Sequence, residues 1–224
     1  MSEVFSWQSF ITPVIVSLKI TLLASVIVFV LALVAARWMS RSSFRGKLWI
    51  DVLFMLPLVL PPTVVGFILL YAFGKQGFAG RLLYEVFDFS VVFTWWGGVI
   101  SAVVVAFPLV YQTIKAGFDG IDRDLEDVAR SQGANEWQVL RYISMPLIYR
   151  MLLVGYMLGF ARALGEFGAT LMLAGNIPGR TQTIATAIYI AADSGKTSLA
   201  LGWVIVMILI SILLLLIVRQ PAKD

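Results

Sequence analysis

Long apolar stretches without charged side chains constrain this chain more than any other feature. Four of them are long enough to cross the roughly 30 Å hydrocarbon core of a bilayer, which takes about 20 helical residues. A fifth stretch contains Arg150 near its start, where a long side chain can reach the membrane surface. We therefore predict an all-α, polytopic membrane bundle of about five helices in one domain, with spans at about 11–36, 52–74, 90–114, 147–166 and 197–218.

The composition agrees with a membrane protein and excludes several other classes. Of 224 residues, 60% are hydrophobic and 13% are charged, whereas soluble domains carry about 25% charged residues. The chain has no Cys and no His, so disulfides, thiolate or imidazole metal ligands and the commonest general base are all excluded. These absences argue against an intramembrane enzyme. We attribute the net charge of +4 to loops that face the cytoplasm and not to nucleic-acid binding.

The basic residues predict how the chain is oriented. Lys and Arg concentrate in cytoplasmic loops, and four of them crowd the first connection. Alternation of the spans then places 75–89 outside, 115–141 inside, the N-terminus outside and the tail after Arg219 inside. No basic segment precedes the first apolar stretch, so we expect no cleaved signal peptide. The four residues of the first connection are Arg37, Arg41, Arg45 and Lys47.

The inner loop, residues 115–146, contains signals for two short helices. Asp124 is a suitable N-cap for the first, and Gly133 is suited to end it. Asn135 and Gln138 have the spacing of a capping box that begins the second. Pro146 stands where the next membrane helix is expected to begin.

The first of these helices is amphipathic. Ile121, Leu125 and Val128 share a helical spacing, while acidic residues occupy the other faces. Such a helix most often rests on its own protein. It can also dock into the groove of a cytoplasmic partner, and the residues alone leave both interpretations open.

The loop resembles the "EAA" loop of ABC importer permeases. That pattern reads Glu-Ala-Ala, three residues, Gly, nine residues, Ile, one residue and Leu-Pro. Here Asp127-Val128-Ala129, Gly133 and Ile143-Ser144-Met145-Pro146 keep the spacing, with Asp127, Val128 and Met145 as mild departures. The resemblance implies that the loop docks onto a separate ATP-binding subunit. The residues assigned to this coupling loop are Leu125, Glu126, Asp127, Ala129, Gly133, Ala134, Ile143 and Pro146.

The helix after the loop has a row of small residues and a pair of opposite charges. Gly155, Gly159 and Ala163 recur every four positions, which allows helix backbones to approach closely in lipid. Arg162 and Glu166 are four residues apart and can pair. The pair has two interpretations, a structural ion pair or part of the path and gate for an anion.

A second resemblance covers residues 161–184, with Gly165-Glu-Phe-Gly168 and Gly175-Asn-Ile-Pro-Gly179. This segment is similar to the signature of molybdate permeases, and sulfate permeases share part of it. Leu56–Gly66 resembles the same branch. Pro57, Pro61 and Pro62 predict helix kinks, either for packing or as a gating hinge. The candidate residues for the path or gate are Arg162, Gly165, Glu166, Gly168, Thr170 and Asn176.

The segment between the fourth and fifth spans, 167–195, allows two interpretations. Its apolar pieces are too short to cross a membrane and are separated by Gly and Pro. It forms either an outer loop with interfacial helices or a partly re-entrant segment, which requires burial in protein or contact with water.

The resemblance also implies the partners and the activity. We expect a homodimer in the bilayer that moves molybdate by alternating access, with a cytoplasmic ATPase subunit and an extracytoplasmic oxyanion-binding protein. The chain lacks a Gly-x-x-x-x-Gly-Lys-Ser/Thr loop, so ATP and magnesium are expected on the ATPase and no cofactor on this chain. Sulfate, thiosulfate or tungstate are alternative cargoes. A membrane assembly protein without transport activity is the alternative from a different class.

Overall fold

The computed structural model describes residues 7–218. The first six residues and the tail from Arg219 onward lie outside the described part, so the predicted sides of the two termini stay predictions. Residues 7–218 form helices and loops without a β-strand, which confirms the predicted all-α class. The helices are α1 (Trp7–Arg41), α2 (Lys47–Val59), α3 (Pro62–Phe73), α4 (Phe78–Phe87), α5 (Trp95–Asp119), α6 (Arg123–Ser131), α7 (Glu136–Val139), a π-helical turn (Leu140–Ser144), α8 (Met145–Leu147), α9 (Tyr149–Leu164), α10 (Gly168–Leu173), α11 (Ile184–Asp193) and α12 (Thr197–Val218).

Three helices, α1, α5 and α12, are long and apolar enough to cross a membrane singly. Two bent pairs add to them, α2 with α3 and Glu136–Leu147 with α9, so the described part of the chain has up to five spans. The start of the inner loop differs from its predicted position. Helix α5 continues to Asp119, so the loop that was predicted to start at residue 115 starts at Gly120.

The second predicted span, 52–74, is not one helix. It breaks at Leu60, and α2 and α3 meet at a bend of 113°. Leu60 is extended, with φ −69° and ψ 141°, because a residue before proline is driven out of the helical region. Pro62 then occupies the first position of α3, where its missing N–H costs nothing. Pro57 lies inside α2 without ending it.

The fourth predicted span, 147–166, also differs from the expectation. Helix α9 begins at Tyr149 and meets the preceding helix at a bend of 78°. Pro146 was expected to start this membrane helix, but it lies in α8, before the bend. The sixteen residues of α9 extend roughly 24 Å at 1.5 Å per residue, which is less than a bilayer core.

Helices α1 and α5 run parallel and form the core of the bundle. Ile20 lies against Gly98 near one end, and the Arg37 guanidinium lies over the Phe118 ring, 5.6 Å from its centroid, near the other. We call the end with Arg37 the charged end and the end with Trp95, where α5 begins, the tryptophan end.

Helix α9 runs antiparallel to α5 and approaches it through the predicted row of small residues. Gly155 lies beside Ile114, and a Cβ on Gly159 would come within 2.6 Å of Val110 Cγ2. Ala163 belongs to a buried cluster with residues of α1 and α5. The absence of side chains at the two glycines therefore sets how closely α9 and α5 pack.

The segment 167–195 lies largely inside the fold and not over it. Helix α10 packs against α3 and α5, with Ala169 and Leu173 fully buried. Helix α11 begins with a capping box from Thr183, and the Ile184 amide donates to Ser17 Oγ of α1 (2.7 Å). Burial in protein is a condition that the re-entrant interpretation requires, and α10 meets it; both interpretations stay predictions.

Replacing Gly159 by Ala tests the contact between α9 and α5. We expect a loss of about 1–3 kcal/mol in unfolding free energy, because the added methyl group overlaps a fully buried valine with a stiff rotamer. Thermal unfolding of the purified protein in detergent measures this. Gly120→Ala is the matched control, since its Cβ would meet nothing closer than 3.5 Å; equal loss in both variants would contradict the packing argument.

Candidate functional site

The loop at the charged end is organised by local capping interactions. Asp122 caps α6 by accepting a hydrogen bond from the Asp124 amide (3.1 Å). The predicted cap at Asp124 is therefore wrong by two residues. Asp124 lies instead in the first turn, where a carboxylate also suits the helix dipole. The choice between the two aspartates depends on where α5 ends, which local spacing does not determine.

The end of α6 and the start of α7 follow the predicted pattern. Gly133 has φ +91°, a left-handed conformation that glycine adopts without steric cost. The Ala134 amide then donates to the Ala129 carbonyl (3.1 Å), which satisfies the end of α6. Asn135 and Gln138 form a reciprocal capping box, with hydrogen bonds of 2.9 and 2.8 Å.

Glu126 is the centre of an ion-pair network at the charged end. Only 1% of its side chain is exposed. Its Oε1 accepts hydrogen bonds from Arg37 Nη1 (2.8 Å), Arg41 Nη2 (2.5 Å) and Ser144 Oγ (2.7 Å). Its Oε2 accepts one from Arg130 Nη2 (3.2 Å). One carboxylate thus joins α1, α6 and the π-helical turn.

The network stabilises the ionised form of Glu126. Burial by itself would raise the pKa of this carboxyl, but the hydrogen bonds from Ser144 and Arg37 and the charges of Arg37 and Arg41 lower its pKa to about 2. The ordinary value is 4.5. A depressed pKa means that the network contributes its full stability above pH 4.5 and loses it as the pH falls towards 2.

The inward orientation of Glu126 bears on two expectations. Glu126 was assigned to the coupling loop and lies in it, but its side chain is buried and does not form part of the exposed surface. Ile121 was grouped with Leu125 and Val128 on one apolar face, but it precedes α6 and is buried in the core. Leu125 and Val128 are 49% and 55% exposed. Because Glu126 faces the bundle, the apolar face of α6 faces outward.

An exposed concave surface lies between α6 and the helix that follows. It encloses about 340 Å³. Four of the residues predicted for the coupling loop line it, and Asp127 lies beside it with 68% of its side chain exposed. Exposed aromatic side chains of Trp137 and Tyr142 extend the surface. We call this surface the docking surface; its concave part is lined by Ala129, Gln132, Gly133, Ala134, Gln138, Tyr142 and Ile143.

The predicted ion pair on the membrane helix is present. Arg162 Nη1 donates to Glu166 Oε2 (3.1 Å), and Glu166 Oε1 accepts from the Ala169 amide at the start of α10 (2.7 Å). The Glu166 side chain is 2% exposed and that of Arg162 is 31% exposed. Both carboxylate oxygens are therefore engaged, one with Arg162 and the other with the start of α10.

The other residues predicted for the path lie at different distances along the chain from this ion pair and have different surroundings. Gly168 touches Pro62 at the start of α3, where a Cβ on the glycine would lie 2.9 Å from Pro62 Cβ, and Gly165 directly follows α9. Thr170 is buried within α10. Asn176 lies beyond the end of α10, and its buried Oδ1 has no hydrogen-bond partner among the described residues. The structure thus pairs Arg162 with Glu166 and places Gly168 against Pro62, but no contact connects Asn176 to either pair.

A second polar cluster near the charged end was not foreseen. Tyr111 Oη donates to Asp51 Oδ1 (2.5 Å), and Lys115 Nζ lies 3.2 Å from Asp51 Oδ2 and 3.7 Å from Asp119 Oδ2. The sequence signal was the single acid inside the apolar α2 segment. Its partners are at least 60 residues away in the chain, so spacing could not identify them.

Comparisons with known proteins find relatives that match nearly the whole chain. The family model described as "Binding-protein-dependent transport system inner membrane component" matches residues 28–220. A putative molybdenum transport system permease protein of Bacillus subtilis, YvgM, is 53% identical over 215 residues, 96% of this chain and 95% of its own. The molybdenum transport system permease protein ModB of Escherichia coli K12 is 41% identical over 218 residues, 97% of this chain and 93% of its own.

A solved structure is similar in fold. The crystal structure of a bacterial ABC transporter involved in the import of the acidic polysaccharide alginate has a chain that superposes with a TM-score of 0.77 at 17% identity. The superposition covers 98% of this chain and 82% of the other. At this identity the likeness concerns the fold alone.

Replacing Glu126 by Gln tests the ion-pair network. We expect a loss of about 3 kcal/mol in unfolding free energy, because three arginines would lose the charge that compensates them in a mostly buried site. Asp127→Asn is the matched control. It removes one exposed partner of Arg130 and should cost less than about 1 kcal/mol. Thermal unfolding at pH 7 compares the two; similar losses would contradict a central role for Glu126.

Proposed function

The chain belongs to the family of binding-protein-dependent transport system inner membrane components, and from this premise we propose that it is the permease subunit of an ATP-driven molybdate importer. The observation that carries the proposal is its identity of 53% and 41%, over nearly the whole chain, with two proteins named as molybdenum transport permeases. The signature Gly165–Gly168 and the segment Gly175–Gly179 lie within that match.

The docking surface is proposed to bind a cytoplasmic ATPase subunit. Exposed Leu125 and Val128 on α6, together with Trp137 and Tyr142, form an apolar patch beside a concave site. Apolar and aromatic anchors near a pocket are the usual centre of a protein interface. ATP and magnesium would bind to that partner, since this chain has no phosphate-binding loop. This end would then face the cytoplasm, with the N-terminus outside and the C-terminus inside.

Motion of the ATPase is proposed to reach the membrane helices through Glu126. A pull on α6 acts on α1 through Arg37 and Arg41, and on the π-helical turn through Ser144. That turn is followed by the 78° bend before α9. Helices α1 and α9 both pack on α5, so the loop is connected to the core of the bundle by two routes.

Two copies of the chain are proposed to enclose the path for the anion. Helix α2 has no buried residue, and α3 exposes Phe67 and Tyr71 by 59% and 75%. A second copy related by a two-fold axis can cover such surfaces. Arg162, which is paired with Glu166, would offer the anion a positive charge that Glu166 partly offsets. A weak site of this kind lets an ion leave as well as enter.

An extracytoplasmic binding protein is proposed to deliver the anion at the tryptophan end, opposite the docking surface. Alternating access follows if ATP binding draws the two docking surfaces together and opens the path outward. A membrane assembly protein without transport would need neither the docking surface nor the ion-pair link from it to α1. The proposal therefore makes uptake and ATPase association depend on the same residues.

Uptake by proteoliposomes tests this proposal. The chain is reconstituted with its cognate ATPase and binding protein, and uptake of molybdate, tungstate and sulfate is compared with and without ATP. We expect ATP-dependent uptake of molybdate. Val128→Asp should reduce uptake at least about tenfold and weaken copurification of the ATPase, because a charge would enter an apolar interface at a cost of about 1.4 kcal/mol or more.

The matched control is Val86→Asp on α4, an equally exposed valine (61% against 55%) outside the docking surface. It should leave ATPase copurification unchanged. Uptake of sulfate in place of molybdate would correct the cargo and keep the permease. Failure of the chain to bind an ATPase, together with no uptake of any of the three oxyanions, would overturn the proposal.

A further inference from the structure

A large cavity lies at the tryptophan end, away from the ion pairs of Glu126 and Glu166. It is an open cleft of about 1040 Å³, comparable to the upper end of ligand-binding pockets. One wall is formed by α1. The other is formed by residues 89–96, which include the start of α5, and by the loop before α11. The lining residues are Val16, Lys19, Ile20, Leu22, Leu23, Val26, Phe89, Phe93, Thr94, Trp95, Trp96, Gly179 and Arg180.

Two cations face this cavity without compensating charges. Lys19 and Arg180 are both exposed, and neither side chain forms a salt bridge with another residue between 7 and 218. None of the described residues that line the cavity is acidic. The two cations come from α1 and from the loop before α11, 161 positions apart, so the fold brings them to one site. Their field favours an anionic ligand.

The remainder of the cavity is apolar. Leu22, Leu23 and Val26 continue along α1 from Lys19, and Leu22 and Val26 are each 52% exposed. Trp95 and Trp96 stack with ring centroids 4.4 Å apart on the opposite side. A small inorganic dianion would lose hydration against such walls without enough hydrogen bonds to replace it. A ligand with an anionic head and hydrocarbon tails matches both parts.

The position of the cavity suits a membrane lipid. Helix α5 begins at Trp95 and has twenty-five residues, roughly 37 Å, so a membrane-crossing α5 places its first residues at a bilayer surface. Tryptophan concentrates at that level, and Lys19 is long enough to direct its ammonium group towards the head groups while its stem lies among apolar residues. The apolar part of the cleft lies on the side of the membrane interior.

We propose that this cleft binds an anionic phospholipid. Lys19 and Arg180 contact the phosphate of the head group, the two tryptophans pack against the glycerol region, and an acyl chain lies along Leu22, Leu23 and Val26. The proposal does not depend on which oxyanion the protein transports. It assigns a ligand to residues at the opposite end of the bundle from the docking surface.

Native mass spectrometry of the detergent-solubilised protein tests the assignment. The protein is titrated with palmitoyl-oleoyl phosphatidylglycerol and, separately, with the phosphatidylcholine that has the same chains. We expect preferential binding of phosphatidylglycerol. Each cation should contribute about fivefold to the affinity, so Lys19→Ala/Arg180→Ala should weaken binding about 25-fold. Lys19→Arg/Arg180→Lys should retain it, which separates loss of charge from loss of folding.

The control Lys75→Ala/Arg81→Ala removes the same charge from the same end, and neither residue lines the cavity. It should leave phosphatidylglycerol binding unchanged. If both double alanine variants lost phosphatidylglycerol binding equally, the effect would come from general surface charge, and the proposed lipid site would be wrong. Displacement of the lipid by glycerol phosphate would show a free-anion site instead. A shift from dimer to monomer in Lys19→Ala/Arg180→Ala, without a change in lipid binding, would assign the cleft to a second copy of the chain.

Discussion

The buried carboxylate of Glu126 determines how the charged end of the molecule is arranged. A buried charge is tolerated when oppositely charged and hydrogen-bonding groups surround it, and here Arg37, Arg41, Arg130 and Ser144 do so. These residues come from α1, α6 and the π-helical turn, so the network holds three segments in one arrangement. It also sets the rotation of α6. With Glu126 facing the bundle, Leu125 and Val128 must face away from it, and the apolar side of the helix becomes available to a partner.

Beyond that network, the bundle combines a close-packed centre with less buried flanks. Helices α1, α5 and α9 approach closely where alanine and glycine replace larger residues, as at Ala32 and Gly159. Helices α2 and α12 are mostly exposed within one chain. The Leu60 break separates α2 from α3, so α3 can pack on α10 while α2 packs on α5. The two flanks therefore present apolar surface that no other segment of the described chain covers.

The two ends of the bundle carry different chemistry. The charged end holds ion pairs with both signs of charge, which fix its helices and leave the apolar side of α6 exposed. The tryptophan end carries two uncompensated cations over an apolar cleft, which suits an amphiphilic anion. Because α1 passes from one end to the other, a ligand held against Lys19 and a partner acting through Arg37 and Arg41 would both act on the same helix.

By itself the sequence determined those features that depend on neighbouring residues. The lengths of the apolar stretches indicated the all-α membrane class, the Asn135 and Gln138 spacing predicted the capping box, and Gly133 marked the end of α6. The tertiary structure decided that Glu126 faces inward, that the cap is Asp122, that the break at Leu60 reaches 113°, and that α10 is buried. Capping and backbone preferences act within a few residues, whereas the partners of Glu126 on α1 are 85 and 89 positions away. Local patterns therefore predicted where helices begin and end, and only the packing of distant segments could set which side of each helix is buried.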